Sequence, residues 1–463
     1  MDEDALTNDV AATILRSCGG VESSPIDLVG RGSYASAFAV SVLAAASVGA
    51  ASRAASEFAC ERGAVAENAT RIVVDRRLAS AWFRATLHRA DWELPPIWDA
   101  VAGDYETVDG WIKLHTNAPH HRDAALRALG CQREADRAEV AAIVVNERAA
   151  DVEAAVVAEG GCAAEMLTRQ EWTSHPQGVA VSAEPLVAFD RTDDCDERVH
   201  RYSGAAPMLA GVRVLDLTRV LAGPVATRWL AGLGAQVLRI DPPGWDEPGV
   251  AMEVTRGKQC ARLDLRIPSE MRRLRELLRD ADVFVHGYRR DALEALGLGA
   301  EVRRELRPGL VDVCLDAYGH TGPWRNRRGF DSLVQMSTGI AAEGMARLGA
   351  ARPVPLPVQA LDHTTGYVLA TAALRGLTER ARDGRGVTAR TSLARVAEML
   401  VSLGDGSFDS DGIAIDDGDL EAGFEVTTWG RARRLRPPAT IEGVRLAWDL
   451  PAVALGTHDA NWP

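Results

Sequence analysis

The segment from residue 212 to residue 241 constrains the possible folds most strongly. It opens with the strand-like run Val212-Arg-Val-Leu-Asp-Leu217, passes through a turn into a helix whose first position suits Pro224, and returns to strand at 235–241. A strand, a helix and a second strand in so short a segment form a βαβ unit, and such units build parallel sheets.

The alternation of strands and helices continues beyond this unit. Strand-like runs occupy residues 261–265, 282–286 and 310–315, and an amphipathic helix runs from its N-cap Ser269 to Arg279. We therefore predict an α/β fold with an open, doubly wound (Rossmann-like) parallel sheet. A strand at 109–115 and helices at 121–129 and 152–158 predict a smaller α+β domain before it.

Two polar stretches, 190–208 and 404–421, divide the chain of 463 residues, which is long enough for two or three domains. We place a first region with a repeat helix and the small α+β domain at 1–190, the small domain itself spanning about 100–185. A linker at 191–208 leads to the Rossmann-like domain at 209–400, and an acidic loop and C-terminal tail occupy 401–463.

The net charge of −13 argues against a general binder of nucleic acid or of anionic membranes, since both ligands require clustered positive charge. Between residues 256 and 328, however, sixteen Lys and Arg residues face eleven Asp and Glu residues. Part of this excess of positive charge is explained by a solvated helix face that carries Arg272, Arg273, Arg275 and Arg279. The remainder can serve an anionic ligand.

The seven cysteines are scattered without a CxxC pair, and the first residues lack the features of a signal peptide, so we expect reduced thiols and a cytoplasmic protein. The apolar run at 35–51 is shorter than the roughly 20 residues that a membrane span needs, and we predict a buried helix there. The spacing of His115, His120, His121 and His175 suits no metal site, and these side chains are interpreted as structural or exposed.

The turn at 217–224 is where a parallel sheet would hold a nucleotide, because the following helix offers free N–H groups to phosphate. Asp241 lies at the position of a ribose ligand, but the turn contains only Gly223 where a dinucleotide site needs GxGxxG, so NAD is not expected. Two further strand ends combine basic residues with glycine: Arg256-Gly-Lys258 and His286-Gly-Tyr-Arg289.

A weak internal repeat relates residues 38–83 to residues 356–399, each with an Ala-rich helix followed by a strand. Aligning Gly49 with Gly366 places Ala45 opposite Asp362, so the first copy lacks the carboxylate. Convergent Ala-rich composition is the alternative explanation. Asp362 itself opens a long Ala/Leu-rich helix, where an ordinary N-cap is the alternative to a nucleophile.

These motifs together resemble the family III CoA-transferases, which include formyl-CoA transferase and carnitine CoA-transferase. The resemblance covers about 212–400 in order and rests on the following runs: Val214-Leu-Asp-Leu-Thr-Arg-Val-Leu-Ala-Gly-Pro224, Leu233-Gly-Ala-Gln-Val-Leu-Arg-Ile-Asp-Pro242, Arg256-Gly-Lys258, Ala281-Asp-Val, Gly287-Tyr-Arg, Leu296-Gly-Leu, Tyr318-Gly-His-Thr-Gly-Pro323, Gly329-Phe-Asp331 and Asp362.

The resemblance implies that acyl-CoA is the substrate, that a small carboxylic acid is the acceptor and that Asp362 is the nucleophile. It also implies a homodimer. The further positions at which it implies coenzyme A contacts are Val220, Leu221, Ala222, Lys258, Gly287, Tyr288, Ala292 and Arg328. Ala295 stands where some members have an arginine for the phosphates. The amide of Gly366 and the helix start near His363 are expected to stabilise the oxyanion.

Two alternatives remain open. The related α-methylacyl-CoA racemases pair the aspartate with a histidine, and Phe330 stands at the position of that histidine in this chain. Phenylalanine cannot exchange a proton, although His320 or His363 could substitute for the missing histidine. A catalytically silent CoA-binding subunit is the second alternative, because the segments that resemble the family's small domain precede the Asp362 domain instead of following it. The chain is therefore interpreted as a permuted or partly duplicated relative.

Overall fold

The structure is a computed structural model that describes residues 2–20, 24–65, 71–195, 206–408 and 410–462. Most of the predicted linker, residues 196–205, lies outside the described residues. Of the described part, no helix is both long enough and apolar enough to span a bilayer.

The chain begins with a mainly helical region in which one long helix is almost entirely buried. Its elements are α1 (Glu3–Ser17), β1 (Asp27–Val29), α2 (Val40–Glu61), β2 (Ile72–Asp75), α3 (Arg76–Trp82) and β3 (Leu87–Arg89). Helix α2 begins at Val40 and contains most of the apolar run at 35–51, so the structure confirms a buried helix there but starts it later than predicted.

The small α+β part follows, with an antiparallel sheet in the order β4-β5-β6 and its own apolar core. Its strands are β4 (Gly103–Glu106), β5 (Trp111–Leu114) and β6 (Ala163–Glu165). Its helices are α4 (Pro119–Ala128), α5 (Arg137–Val144), α6 (Ala149–Ala158), α7 (Arg169–Ser174) and α8 (Pro176–Ala183).

A seven-stranded sheet organises the second half of the chain. Its strands are β7 (Ala188–Asp194), β8 (Arg213–Leu217), β9 (Gln236–Asp241), β10 (Lys258–Arg262), β11 (Val283–His286), β12 (Val311–Asp316) and β13 (Arg385–Ser392). The order is β10-β9-β8-β11-β12-β13-β7, and only β7 runs antiparallel to its neighbour. The six parallel strands have the order of doubly wound nucleotide-binding folds, so the predicted fold class is confirmed.

Helices cover both faces of this sheet. The helices of this half of the chain are α9 (Ala222–Gly232), α10 (Ala251–Val254), α11 (Pro268–Arg279), α12 (Arg290–Ala295), α13 (Ala300–Leu306), α14 (Asp331–Ser337), α15 (Ile340–Leu348), α16 (Ala360–Asp383) and α17 (Leu393–Ser402). Alternate residues of β8 explain the two layers, because Val214 joins the core that contains α9 and α16, whereas Leu215 joins the core of α11.

Three predicted boundaries differ from the structure. Helix α9 begins at Ala222, so Pro224 is its third residue, and α11 begins with Pro268 after the N-cap Ile267, so Ser269 is not a cap. A proline suits the first turn because the N–H that it lacks would have no hydrogen-bond partner within the helix there. Strand β10 ends at Arg262, earlier than predicted, and a turn follows it.

The C-terminal region is more ordered than the predicted acidic loop and tail. After a short 3₁₀ turn at Asp417–Asp419 it contains β14 (Glu425–Thr427), β15 (Gly430–Arg434) and β16 (Ala439–Ile441). Strand β15 pairs with β3 and β16 pairs with β2, so this region completes two small sheets of the N-terminal region. The local sequence concealed this because the partners of both pairs lie far apart in the chain.

Helices α2 and α16, the two copies of the proposed repeat, pack directly against each other. Arg375 in α16 donates to Glu57 in α2 at 2.6 Å, and Ala45 is fully buried. The alignment that matches Gly49 with Gly366 also matches the N-cap of α3, Asp75, with the N-cap of α17, Ser392. Each copy therefore has the order helix, strand, helix; duplication remains a prediction.

Candidate active site

The first of two adjoining cavities lies at the carboxyl ends of β8 and β11, where the strand order of the sheet reverses. Doubly wound sheets bind their ligands at such switch points. This cavity, which we call the arginine cavity, has a volume of about 330 Å³. Several of the residues predicted to contact coenzyme A line it, together with Asp362: Val220, Ala222, Gly287, Tyr288, Ala292 and Arg328.

Three arginines without an acidic partner in the described part of the chain give this cavity positive charge. The guanidinium of Arg219 lies over the rings of Trp245 and Tyr288, at 4.9 and 5.3 Å from their centroids, and donates to the Tyr288 hydroxyl at 3.1 Å. Arg289 and Arg328 line the same cavity. Among the described residues none of the three forms an ion pair with Asp or Glu, so their charges remain available to a ligand. Arg327 also lines the cavity but is held by Glu153 at 2.8 Å.

The second cavity, which we call the apolar cavity, has a volume of about 430 Å³ and is lined by Ile97, Trp98, Trp245, Val250 and Phe330 among others. It shares Val220, Trp245, Phe330 and Asp362 with the arginine cavity. Leu221, a predicted coenzyme A contact, lines the apolar cavity instead. Asp362 therefore stands at the junction of a cationic cavity and an apolar one.

Asp362 is the third residue of α16, and the N-cap of that helix is Gln359, so the N-cap alternative for Asp362 is wrong. The end of the helix is held by Asp331, whose carboxylate accepts from the backbone N–H of Asp362 at 2.9 Å and also from the N–H of Leu361. Asp331 is buried, while Asp362 is partly buried. The Gly329-Phe-Asp331 motif thus orients the element that presents the candidate nucleophile.

The two carboxyl groups influence each other's protonation. Burial penalises the charged form and raises the pKa of Asp331 to about 6, despite the N–H groups that donate to it. Burial, reinforced by the negative charge of Asp331, raises the pKa of Asp362 well above its ordinary range. A more basic carboxylate is a stronger nucleophile once it is ionised.

The turn between β8 and α9 adopts a strained conformation at the cavity junction. Val220 has a φ of 63°, and it is the one residue other than glycine with positive φ in the described part of the chain. This region is unfavourable for a β-branched side chain. Glu247 stabilises the turn by accepting from the N–H of Val220 at 2.6 Å, and buried Arg239 holds the other Glu247 oxygen at 2.7 Å.

Lys258 and Asp241 lie away from the positions predicted for them. The ammonium of Lys258 is fully buried and donates to Asp216, the Pro224 carbonyl and Thr227 at 2.6–3.1 Å. It lines neither cavity and joins α9 to β8, and its assignment as a coenzyme A contact stays a prediction. Asp241, considered as a ribose ligand, is buried in an ion pair with Arg239.

The histidines are also distributed differently from the prediction. His120 and His121 line the arginine cavity, and His115 lines the apolar cavity with its ring stacked 3.7 Å from that of Phe330. Burial lowers the pKa of His115 to about 4 and that of His121 to about 3, so both are neutral near pH 7. In the described part of the chain no group of three His, Cys, Asp or Glu residues could hold a metal ion.

Neither histidine that was considered as a racemase base lines the arginine cavity or the apolar cavity. His363 stacks on Phe83 with ring centroids 4.9 Å apart, and His320 lies 3.1 Å from the Thr391 carbonyl. The expectation for the Gly366 amide is also wrong. Gly366 lies about two turns inside α16, where amides donate within the helix.

Several site residues were missed by the sequence analysis. Arg219 and Arg289 lie inside motifs that were quoted for their neighbours, so a count of cationic side chains at strand ends would have found them. Glu247 and Trp245 follow β9 in a turn without a recognised motif. Ile97 and Trp98 come from a segment more than a hundred residues before β8, and no local pattern connects them with it.

Residues 209–404 match the sequence profile described as CoA-transferase family III. The match begins before β8 and ends after α17, so it contains the whole parallel sheet, the strained turn and Asp362.

Two curated relatives each match just under half of this chain. Succinyl-CoA:glutarate CoA-transferase of Mus musculus is 33% identical over 229 residues, which are 47% of this chain and 47% of that protein. The probable fatty acyl-CoA transferase Rv3272 of Mycobacterium tuberculosis is 34% identical over 212 residues, covering 43% and 53% of the two chains. This chain thus spans about half the length of the curated relatives it matches.

A crystal structure of Rv3272 is 32% identical to this chain, covers 42% of this chain and 58% of that one, and superposes with a TM-score of 0.38.

Proposed function

We propose that this chain is an acyl-CoA:carboxylate CoA-transferase in which Asp362 is the nucleophile. The observation that carries the proposal is the position of the Asp362 carboxylate at the junction of the arginine cavity and the apolar cavity. One cavity has the charge that coenzyme A phosphates require, and the other has walls suited to an acyl group. The match of residues 209–404 to the CoA-transferase family III profile supports the same chemistry.

Coenzyme A would lie across the carboxyl ends of β8 and β11. Its phosphates would be bound by Arg219, Arg289 and Arg328, for which no ion-pair partner exists among the described residues. The turn of Val220, Leu221 and Ala222 would run along one side of the ligand. Gly287, Tyr288 and Ala292 would contact its other side. The first amides of α9 have no partner within the helix and are the candidates for stabilising an oxyanion.

The reaction would proceed by two exchanges on Asp362. The carboxylate attacks the thioester carbonyl, the C–S bond breaks, and a mixed anhydride and coenzyme A thiolate result. The thiolate then attacks the aspartyl carbonyl, releases the first acid and leaves an aspartyl-CoA thioester. The second acid attacks this thioester, the C–S bond breaks, and a second mixed anhydride and coenzyme A thiolate result. The thiolate then attacks the new acyl carbonyl of the anhydride, which forms the new acyl-CoA and regenerates the Asp362 carboxylate. No redox change occurs, and the thioester bond is conserved.

Intact-protein mass spectrometry tests the proposal. The wild type and Asp362→Ala are mixed with a panel of acyl-CoAs and trapped with hydroxylamine. We expect a hydroxamate on Asp362 in the wild type and none in the variant, because only the acylated carboxylate is trapped. Asp316→Asn serves as the control, since Asp316 also lines the arginine cavity, and it should still form the adduct.

Two other outcomes would replace the proposal. Coenzyme A binding without an adduct from any donor would favour a catalytically silent CoA-binding subunit. Deuterium uptake at the α-carbon without an acceptor acid would favour racemisation, for which the cavity histidines His115 and His121 are the relevant observation. Both are neutral near pH 7 and can exchange protons, unlike Phe330.

We further propose a homodimer in the cytoplasm that uses neither a metal nor NAD and binds neither nucleic acid nor membranes. The net charge of −13 and the seven scattered cysteines support this setting. We also propose that the region 1–190, the linker 191–208 and the domain 209–400 are a permuted or partly duplicated arrangement of the family's parts. The matching helix, strand, helix order of the two repeat copies supports it.

A further inference from the structure

The apolar cavity is the feature that says most about the acyl group. Its volume of about 430 Å³ lies in the range of pockets that enclose small molecules. It opens on the carboxylate of Asp362 and is separate from the three arginines of the arginine cavity. A thioester carbonyl placed at Asp362, with its coenzyme A in the arginine cavity, would direct its acyl chain into this second cavity.

Hydrophobic side chains from distant parts of the chain form its walls. Ile97 and Trp98 precede the small α+β sheet, Val250 follows β9, and Phe330 precedes α14. Ile97 is 52% exposed and Trp98 is 42% exposed, so both retain surface that a ligand can bury. Burial of apolar ligand surface against such walls is favourable.

The polar groups of this cavity are acidic or neutral. None of the described residues that line it is Lys or Arg. Four of the acidic residues that line it are Asp99, Asp246, Glu247 and Asp331. Glu247 is already paired with Arg239, and Asp99 lies 3.7 Å from Arg122, so these cations are committed to the protein's own carboxylates. Lys113, whose ammonium lies 5.9 Å from the Trp98 ring centroid, is paired with Asp104 at 2.6 Å. A carboxylate at the far end of an acyl chain would therefore find no unpaired cation in the described cavity lining and would face like charge.

We propose that the apolar cavity binds the acyl chain and selects uncharged, apolar acyl groups over acyl groups that carry a second carboxylate. The proposal rests on the proposed function, because it takes the cavity's ligand to be the acyl part of a thioester. It adds the chemical class of the substrate, which the family does not specify.

The test uses two donors of equal length, hexanoyl-CoA and adipoyl-CoA, which differ only in a terminal methyl or carboxylate. Initial rates of Asp362 loading are measured by the hydroxylamine trap at one pH and ionic strength. We expect hexanoyl-CoA to load at least about tenfold faster, since like-charge contacts in a partly buried site are costly. Equal or faster loading by adipoyl-CoA would overturn the proposal.

A charge introduced at the cavity provides a second arm. Ile97→Lys supplies the missing cation and should reduce the hexanoyl preference at least about threefold, because it offers a partner to the terminal carboxylate. Val108→Lys is the matched control, since Val108 is 60% exposed in the same α+β part and lines neither cavity. An equal change in both variants would indicate a general charge effect and contradict the assignment of the cavity.

A binding measurement separates this proposal from the proposed function. Calorimetry on Asp362→Ala compares S-hexyl-CoA with S-(5-carboxypentyl)-CoA, neither of which can acylate the protein. Tighter binding of S-hexyl-CoA by about tenfold or more, together with no loading from any donor, would retain the cavity's selectivity and reject the transferase. Equal affinities would reject the selectivity even if transfer occurs.

Discussion

The carboxyl pair Asp331 and Asp362 shows how one side chain can serve two purposes. Asp331 accepts the N–H groups at the start of α16, and its charge makes the neighbouring carboxylate more basic. Both effects follow from its burial beside the helix end. The sequence motif that contains Asp331 was recognised, but its function as a support for the nucleophile's helix was not.

Asp331→Asn should shift the pH dependence of Asp362 loading. Loading requires the ionised carboxylate, so its rate rises with pH through the pKa of Asp362 and then levels off. Removing the negative charge of Asp331 lowers that raised pKa, and we expect the acidic limb to move to lower pH while the plateau rate falls. The asparagine oxygen can still accept the N–H of Asp362. The measurement is the rate of hydroxamate formation across pH.

Asp316→Asn is the control for this profile. Asp316 is a second carboxyl group of the arginine cavity, and burial raises its pKa to about 8. It accepts from the amides of Tyr318 and Gly319 and not from α16. A limb that moved with Asp316→Asn but stayed in place with Asp331→Asn would assign the titration to Asp316 and contradict the pair as its origin.

Between elements, the close approach of α16 to the turn before α9 depends on Gly366. A Cβ at this position would lie 2.6 Å from the carbonyl oxygen of Ala222, which belongs to the backbone and cannot easily move. The approach brings the Asp362 helix against the turn proposed to follow coenzyme A. The packing of these two helices thus sets the geometry of the site.

Gly366→Ala should therefore destabilise the protein by about 1–3 kcal/mol, the usual cost of overpacking, despite the better helix propensity of alanine. Gly49→Ala is the matched control at the aligned position of α2, where the nearest atom is the flexible Cδ1 of Ile26. We expect the control to change the free energy of unfolding by less than about 1 kcal/mol. Urea denaturation measures both, and equal effects would show that the Ala222 contact is unimportant.

For the chain as a whole, the C-terminal segment joins the N-terminal region to the parallel sheet. The indole N–H of Trp448 donates to the Arg228 carbonyl at 2.8 Å, and its ring lies 5.7 Å from that of Trp82. The amide of Gly257, just before edge strand β10, donates to Leu450, and His458 donates to Cys260 within that strand. Covering an edge strand removes a surface on which other chains could pair.

Trp448→Ala should lower the free energy of unfolding by about 3–5 kcal/mol, because it removes a large buried ring between the two regions. Trp448→Phe retains most of the ring and loses one hydrogen bond, so its cost should be about 0.5–1.5 kcal/mol. Urea unfolding followed by circular dichroism compares the variants. An unfolding midpoint of Trp448→Ala equal to that of the wild type would show that the segment does not support the fold.

The parts of this protein that follow from sequence are those with local physical causes. The alternation of residues 212–241 reflects which side chains face the core, so it predicts strands, helices and a parallel sheet. The motif around Val220 lies at the end of a strand, and the motif around Asp362 lies at the start of a helix. In an alternating chain of strands and helices, such positions lie near one edge of the parallel sheet. Seven residues of the arginine cavity were named for that reason, but Arg219 and Arg289, two of its three arginines that have no ion pair among the described residues, were not.

The remaining features depend on contacts between residues that are distant in the chain. Glu247 holds the turn at Val220, Asp331 supports Asp362, and the segment with Ile97 and Trp98 closes the apolar cavity. No period or spacing encodes such contacts, because they arise when separately formed elements pack together. The same holds for the raised pKa of Asp362 and the burial of Lys258, since burial is a property of the assembled core.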